Sequence, residues 1–128
     1  MKPVSVVSNE ILSEDLYQKA EHFLLDTVQS HKPAVYHFNT GGQRMRMRTC
    51  LDACVALGIA PDDSIILSCS IELLHNASLI HDDLQDRDKT RREHPTVWAK
   101  YGDNIAICSG DFLLTKAFGI LPLLSAEV

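Results

Sequence analysis

Apolar residues recur at helical spacing along most of the chain, and no segment keeps the strict alternation of a half-buried strand. Leu16, Ala20, Phe23, Leu24 and Val28 mark a first helix over 13–29, with Ser13 as its N-cap. His31-Lys32-Pro33 ends it, because proline disfavours helical geometry in the residue before it. A loop with a turn at Thr40-Gly41-Gly42 should follow. A second helix is predicted over 43–57, stopped by Gly58. Pro61, Asp62, Asp63 and Ser64 open a third. Its residues Ile65, Ile66, Leu67, Ile71, Leu73, Leu74, Leu79 and Ile80 put apolar surface on most sides, which predicts a buried, central helix ending near residue 86. Beyond it come a polar loop over 87–94, a short helical turn over 97–101, a break at Gly102-Asp103-Asn104 and a last helix fading near Pro122. The class predicted is all-α, with residues 1–12 as a lead-in.

The third helix ends in chemistry that its own dipole disfavours. Asp82, Asp83 and Asp86 stand at its negative pole, each at a cost of roughly 0.3–1 kcal/mol, where lysine or arginine is the ordinary choice. Asp82 and Asp86 are four apart and share a face, and His75 lies two turns back in the same stripe. Three converging carboxylates suit a hard divalent cation, Mg²⁺ above all, bridging to a phosphate-bearing ligand. A lone Asp-Asp pair would read as a solvated helix end. The buried helix before it and the dibasic Arg91-Arg92 after it favour a site, with the arginines as clamps on phosphate oxygens. Gly41 to Arg48, reading GGQRMRMR, is a second candidate anion cradle: a tight turn, a helix N-terminus with open N–H groups, and Arg44 and Arg46. His81 sits on another face and is expected to be structural.

Charge and cysteines narrow the classes. Twelve basic against seventeen acidic residues give a net −5, which argues against a general nucleic-acid binder. Cys50, Cys54, Cys69 and Cys108 lie in apolar helical runs without a C-x-x-C pair and read as small buried hydrophobes in a reducing, cytoplasmic setting. No secretory signal is evident, and no run approaches the roughly 18 apolar residues of a membrane span.

Four motifs in order resemble the trans-isoprenyl diphosphate synthase, or polyprenyl synthetase, family. They are Gly41-Gly42-Gln43-Arg44-Met45-Arg46 for GGKRxR, Asp82-Asp83-Leu84-Gln85-Asp86 for DDxxD, Arg91-Arg92 for the segment after it, and Gly110-Asp111-Phe112-Leu113-Leu114 for GD-x-LL. The resemblance implies an isoprenoid-synthase-type helical bundle, of which 1–128 would be a single partial domain. It further implies a Mg²⁺-dependent prenyltransferase that joins isopentenyl diphosphate to an allylic prenyl diphosphate. Asp82 and Asp86, supported by Asp83, would hold Mg²⁺, and Arg91 would clamp the allylic diphosphate. Gln43, Arg44, Arg46, His75 and Arg92 would bind substrate, the isopentenyl diphosphate falling to Arg46, His75 and Arg92. Small residues at Ala77 and Ser78 would line a product tunnel. Gln43 replaces the family's lysine, Met47 its proline and Glu93 its glycine. The second aspartate-rich motif is absent from these residues, so weak or no turnover by this chain alone is expected, and the expected assembly is a homodimer or a pair with a partner chain. The tail over 121–128 closes on no further element, as in a chain cut short. A non-catalytic half-domain is the main alternative. A histidine–aspartate phosphohydrolase fits the histidine spacing poorly, and a terpene cyclase leaves the arginine motifs unused.

Overall fold

The computed structural model describes residues 4–126. They form α1 (Val4–Val28), α2 (Lys32–Asn39), α3 (Met45–Ala56), α4 (Pro61–Asp86), β1 (Thr90–Arg91), β2 (His94–Pro95), α5 (Val97–Tyr101), α6 (Asp103–Gly119) and a 3-10 turn at Leu121–Leu123. The all-α expectation holds, with α4 central: α1, α3 and α6 all pack on it. Leu16, Ala20, Leu24 and Val28 of α1 form one buried stripe that meets Cys69, Leu73 and Ile80 of α4 and Leu113 and Ala117 of α6. Each large side chain so buried contributes about 1.5–3 kcal/mol of transfer free energy.

α4 and α6 run antiparallel and are pinned at two heights. The Ser70 hydroxyl donates to the Ala117 carbonyl at 2.8 Å, and His81 Nε2 lies 3.2 Å from the Ile107 carbonyl. Gly110 makes the second contact possible, because a Cβ there would overlap the His81 imidazole. His81 is thus structural, as expected. The Gly-Asp pair of the fourth motif also has a packing role, since Asp111 lies 3.5 Å from the same ring nitrogen.

Three local features depart from the sequence expectation. α1 already begins at Val4, so the expected lead-in is helical apart from residues 1–3, which lie outside the described residues. Pro33 does not lead into a loop; it occupies the first turn of α2, where its missing N–H costs nothing. Ala34, His37 and Phe38 bury that helix at spacings of three and four. The polar loop contains a hairpin pairing Thr90 with Pro95 and Arg91 with His94. Its two turn residues, Arg92 and Glu93, both have positive φ (50° and 65°), the backbone of a tight two-residue hairpin turn. A glycine would take the Glu93 conformation without strain.

The central helix is not buried all round. Ile71, Ser78, Asp82, Gln85 and Asp86 are exposed, leaving one long open stripe on α4. Cys54 and Cys69 are buried as expected, Cys50 is half-buried and Cys108 is exposed. Burial pushes the Cys50 thiol up to about 11 and the Cys69 thiol up to about 12, so both stay protonated near neutral pH. Contrary to the sequence reading, the segment Asp103–Leu123 is long and apolar enough to cross a membrane by length and composition alone. In the fold its small residues Ala106, Ser109, Gly110 and Ala117 are buried.

Candidate functional site

The glycine turn builds one wall of a cleft. Gly41 and Gly42 both adopt φ +110°, a conformation natural to glycine. A Cβ on Gly42 would come within 3.1 Å of the Arg92 guanidinium and 3.3 Å of Arg44 Nη1. The bare backbone therefore lets two arginines crowd the space that a side chain would fill. Gly42, Gln43, Arg44, Met45, Arg46, Glu72, His75 and Arg92 line a cavity of about 490 Å³. Residues from the turn, α3, α4 and the hairpin thus meet in one place, whereas Asp82, Asp83, Asp86 and Arg91 do not line it. Three guanidinium groups and one carboxylate line it, a positive balance that favours an anionic ligand.

The three arginines are not equivalent. Arg44 is buried and largely committed: Nε and Nη2 donate to the Glu21 carboxylate at 3.1 and 3.2 Å, and Nη1 and Nη2 donate to the Gly41 and Phe38 carbonyls. Its cation also lies over the Phe38 ring, 4.9 Å from the centroid. Arg44 is therefore mainly a brace for the turn. Arg46 is exposed, with Nη1 3.1 Å from His75 Nε2. Arg92 donates to the Gly41 carbonyl at 3.2 Å and keeps its remaining donors for the cleft.

Beneath the cleft runs a buried polar chain that the sequence reading missed. His37 Nε2 lies 2.8 Å from Asn76 Oδ1, and Asn76 Nδ2 donates to the Glu72 carbonyl at 2.8 Å and to Glu72 Oε1 at 3.3 Å. Glu72 Oε2 accepts the Met47 N–H at 3.2 Å. Because the Asn76 amide group donates to Glu72, its oxygen faces His37, and His37 Nε2 carries the proton. Burial pushes the His37 pKa down to about 4, so the ring is neutral. Glu72 thereby caps the first turn of α3, whose own N-cap, Arg44, is left-handed and offers no side-chain cap. The expected open N–H groups at this helix start are thus partly taken by Glu72. The available signal was a Glu and an Asn four apart inside an apolar run.

The acidic end of α4 is arranged differently. Arg91 Nη2 and Nε donate to the two Asp83 oxygens at 2.7 and 2.8 Å, a bidentate pair on a buried carboxylate. Asp82 and Asp86 are exposed, and neither makes a hydrogen bond or ion pair with another described residue. Helical geometry explains the split: Asp82 returns to the azimuth of His75 within roughly 20°, whereas Asp83 lies roughly 100° further round. The three carboxylates therefore do not converge, and among the described residues no group of three His, Cys, Asp or Glu is placed to hold a metal. Asp82 and Asp86 do share a face and would together hold a hard divalent cation. Asp83 does not fit that role in this arrangement.

The consecutive arginines are likewise divided. Arg91, in β1, reaches Asp83, while Arg92, in the turn, reaches the cleft. Thr96 Oγ1 and Trp98 Nε1 both donate to the Asp88 carbonyl at 2.7 Å, and Tyr36 donates to the Pro95 carbonyl at 2.7 Å, so the hairpin is anchored at its base.

The model of one family, described as polyprenyl synthetase, matches residues 28–127. The chain belongs to the polyprenyl synthetase family. Among curated relatives, (2E,6E)-farnesyl diphosphate synthase of Mycobacterium bovis is 37% identical over 132 residues, covering 93% of this chain and 35% of that protein. The large subunit 1 of a chloroplastic heterodimeric geranylgeranyl pyrophosphate synthase of Arabidopsis thaliana is 36% identical over 97 residues, 74% of this chain and 26% of that protein. A polyprenyl synthase from Caulobacter crescentus, solved with calcium and isoprenyl diphosphate, superposes with a TM-score of 0.83 at 26% identity, covering 96% of this chain and 39% of that one. The chain thus spans little more than a third of the length of the first curated relatives it matches.

Within this polyprenyl synthetase chain, the two small residues before the aspartates also separate. Ala77 is buried in the core at 1% exposure, while Ser78 lies on the open stripe with Asp82. Of the two expected tunnel residues, only Ser78 faces the open side.

Proposed function

We propose that these residues supply the isopentenyl-diphosphate subsite and part of the allylic-diphosphate subsite of a trans-prenyltransferase. The observation that carries this reading is the formation of the cationic cleft on the same face of α4 that presents Asp82 and Asp86. His75 and Asp82 are seven residues apart, about 10 Å along the helix axis, so two diphosphates would lie side by side over one helix.

Arg46, Arg92 and His75 hold the isopentenyl diphosphate, with Gln43 donating an amide hydrogen bond where a lysine would add charge. Arg44 braces the turn beneath. Asp82 and Asp86 would hold Mg²⁺, and Arg91 would clamp the allylic diphosphate, its guanidinium oriented by Asp83. Mg²⁺, when bound, supplies Lewis-acid stabilisation of the charge on the departing diphosphate. Ser78, on the exposed stripe between His75 and Asp82, leaves room between the subsites for the isoprenoid chain, which excludes water there.

Two exposed carboxylates are a partial metal cage, so these 128 residues should turn over little substrate alone. The test is incorporation of labelled isopentenyl diphosphate onto allylic diphosphates of increasing length, with Mg²⁺, by the chain alone and mixed with longer polyprenyl synthetases. Turnover that appears on mixing, and is lost with Asp82→Ala, supports the reading. Ordinary enzyme rates from the chain alone, insensitive to Asp82→Ala, would sink it.

A second reading is a non-catalytic half-domain that pairs with a partner chain. Ile71 on α4 and Ile107 and Phe118 on α6 are exposed, more apolar surface than a solvated helix pair needs. Size-exclusion chromatography with a partner synthase separates the readings: stable pairing without any gain in turnover favours the half-domain.

A further inference from the structure

We propose that His75 is a proton-coupled ligand of the cleft, neutral and accepting from Arg46 without an anion, and imidazolium donating to a phosphate oxygen when a diphosphate binds. This rests on the reading of the cleft as a diphosphate subsite.

The starting state follows from geometry. Arg46 Nη1 stands 3.1 Å from His75 Nε2. A guanidinium nitrogen carries only donors, so a hydrogen bond at that distance requires a lone pair on Nε2. The ring is therefore neutral, with its proton on Nδ1. The groups facing it are Arg46 from α3, Glu72 from its own helix and Arg92 from the hairpin, with Arg91, paired to Asp83, acting from further off. Arg46 and Arg92 outweigh the one carboxylate, whose oxygens are already engaged by the Met47 N–H and Asn76. Burial, and then Arg46, hold the imidazole below its usual value.

A diphosphate entering the cleft reverses both causes. Its charge outweighs that of Arg46 and Arg92, and it offers acceptors to the exposed Arg46 guanidinium, which lets go of Nε2. The freed lone pair takes one proton from solvent and donates it to a phosphate oxygen. No covalent bond is made or broken. With the free-state pKa below 6.5 and the bound-state pKa above it, the bound form carries the extra proton between the two. Affinity then rises as pH falls through that window, by up to roughly tenfold per pH unit for one proton.

The test uses the chain itself with inorganic pyrophosphate, without Mg²⁺. Proton NMR of the His75 Cε1–H, assigned through bonds among the six histidines, gives the His75 pKa with and without ligand. Calorimetry in buffers of differing ionisation heat counts protons taken up by wild type and by His75→Gln; the difference cancels the titration of pyrophosphate. A rise of one pKa unit or more, with net uptake in wild type alone, is expected. Pyrophosphate bound with an unmoved His75 pKa overturns this inference and leaves the cleft reading standing. No binding at millimolar pyrophosphate overturns both. The wild-type NMR arm decides the matter even if His75→Gln fails to fold.

Discussion

The two ends of the open face of α4 are built to different degrees of completeness. The cleft is assembled from four segments, and its floor is a buried chain running from His37 through Asn76 and Glu72 to the α3 backbone. The acidic end is assembled from one helix and one hairpin. There Asp83 and Arg91 satisfy each other, while the Asp82 and Asp86 side chains face outward with no hydrogen bond or ion pair among the described residues. Positive charge can be gathered in advance, because arginines brace against carbonyls, rings and carboxylates. Carboxylates meant for a cation repel one another until it arrives, so the acidic end has nothing to close on.

If the cleft is prebuilt, removing its floor should rank among the largest effects. Glu72→Ala leaves the buried Met47 N–H without its acceptor and the Asn76 amide with only the residue-72 carbonyl, a loss of about 3 kcal/mol. Urea unfolding would measure it, and a loss below about 1 kcal/mol would show that the polar chain is dispensable. The same floor predicts a pH response. His37 is held neutral in the fold at a pKa of about 4, against 6.5 for the exposed ring. The unfolded chain therefore binds more protons between those values, so stability should fall as pH drops from 6.5 towards 4, by about 3 kcal/mol in all. His37→Gln should flatten that slope, and an unchanged slope would assign it elsewhere.

At the acidic end the largest lever is the helix contact beneath it. Gly110→Ala drives a methyl into the His81 imidazole, and overpacking of this kind costs about 3 kcal/mol. An unshifted melting temperature would mean that α4 and α6 slide freely. Arg91→Ala strands a buried Asp83 whose partner was partly solvent-exposed, so a loss of about 2 kcal/mol is expected in the same assay. The smallest effect runs the other way: Glu93→Gly relieves a left-handed backbone and should stabilise the hairpin by about 1 kcal/mol.

These differences also mark what could be read from the chain beforehand. The central helix, its bounds and the cleft residues other than Glu72 were legible, because helical spacing and glycine chemistry are local. The α2 helix was hidden by a proline taken as a stop, although proline equally opens helices. The hairpin was hidden because arginine and glutamate hold turn positions where glycine or asparagine is the usual signal. Convergence of three aspartates was an error of azimuth: adjacency in sequence is roughly 100° apart on a helix, so Asp83 had to face somewhere else. The division of Arg91 from Arg92 followed from the unseen hairpin.

Titration of the chain with pyrophosphate, with and without Mg²⁺, in wild type, Arg92→Ala and Asp82→Asn tests the central claim most directly. Wild type should bind without metal, Arg92→Ala should weaken that binding tenfold or more, and Asp82→Asn should leave it unchanged. Binding that needs Mg²⁺ from the outset, or that Asp82→Asn abolishes while Arg92→Ala spares it, would contradict a prebuilt arginine cleft.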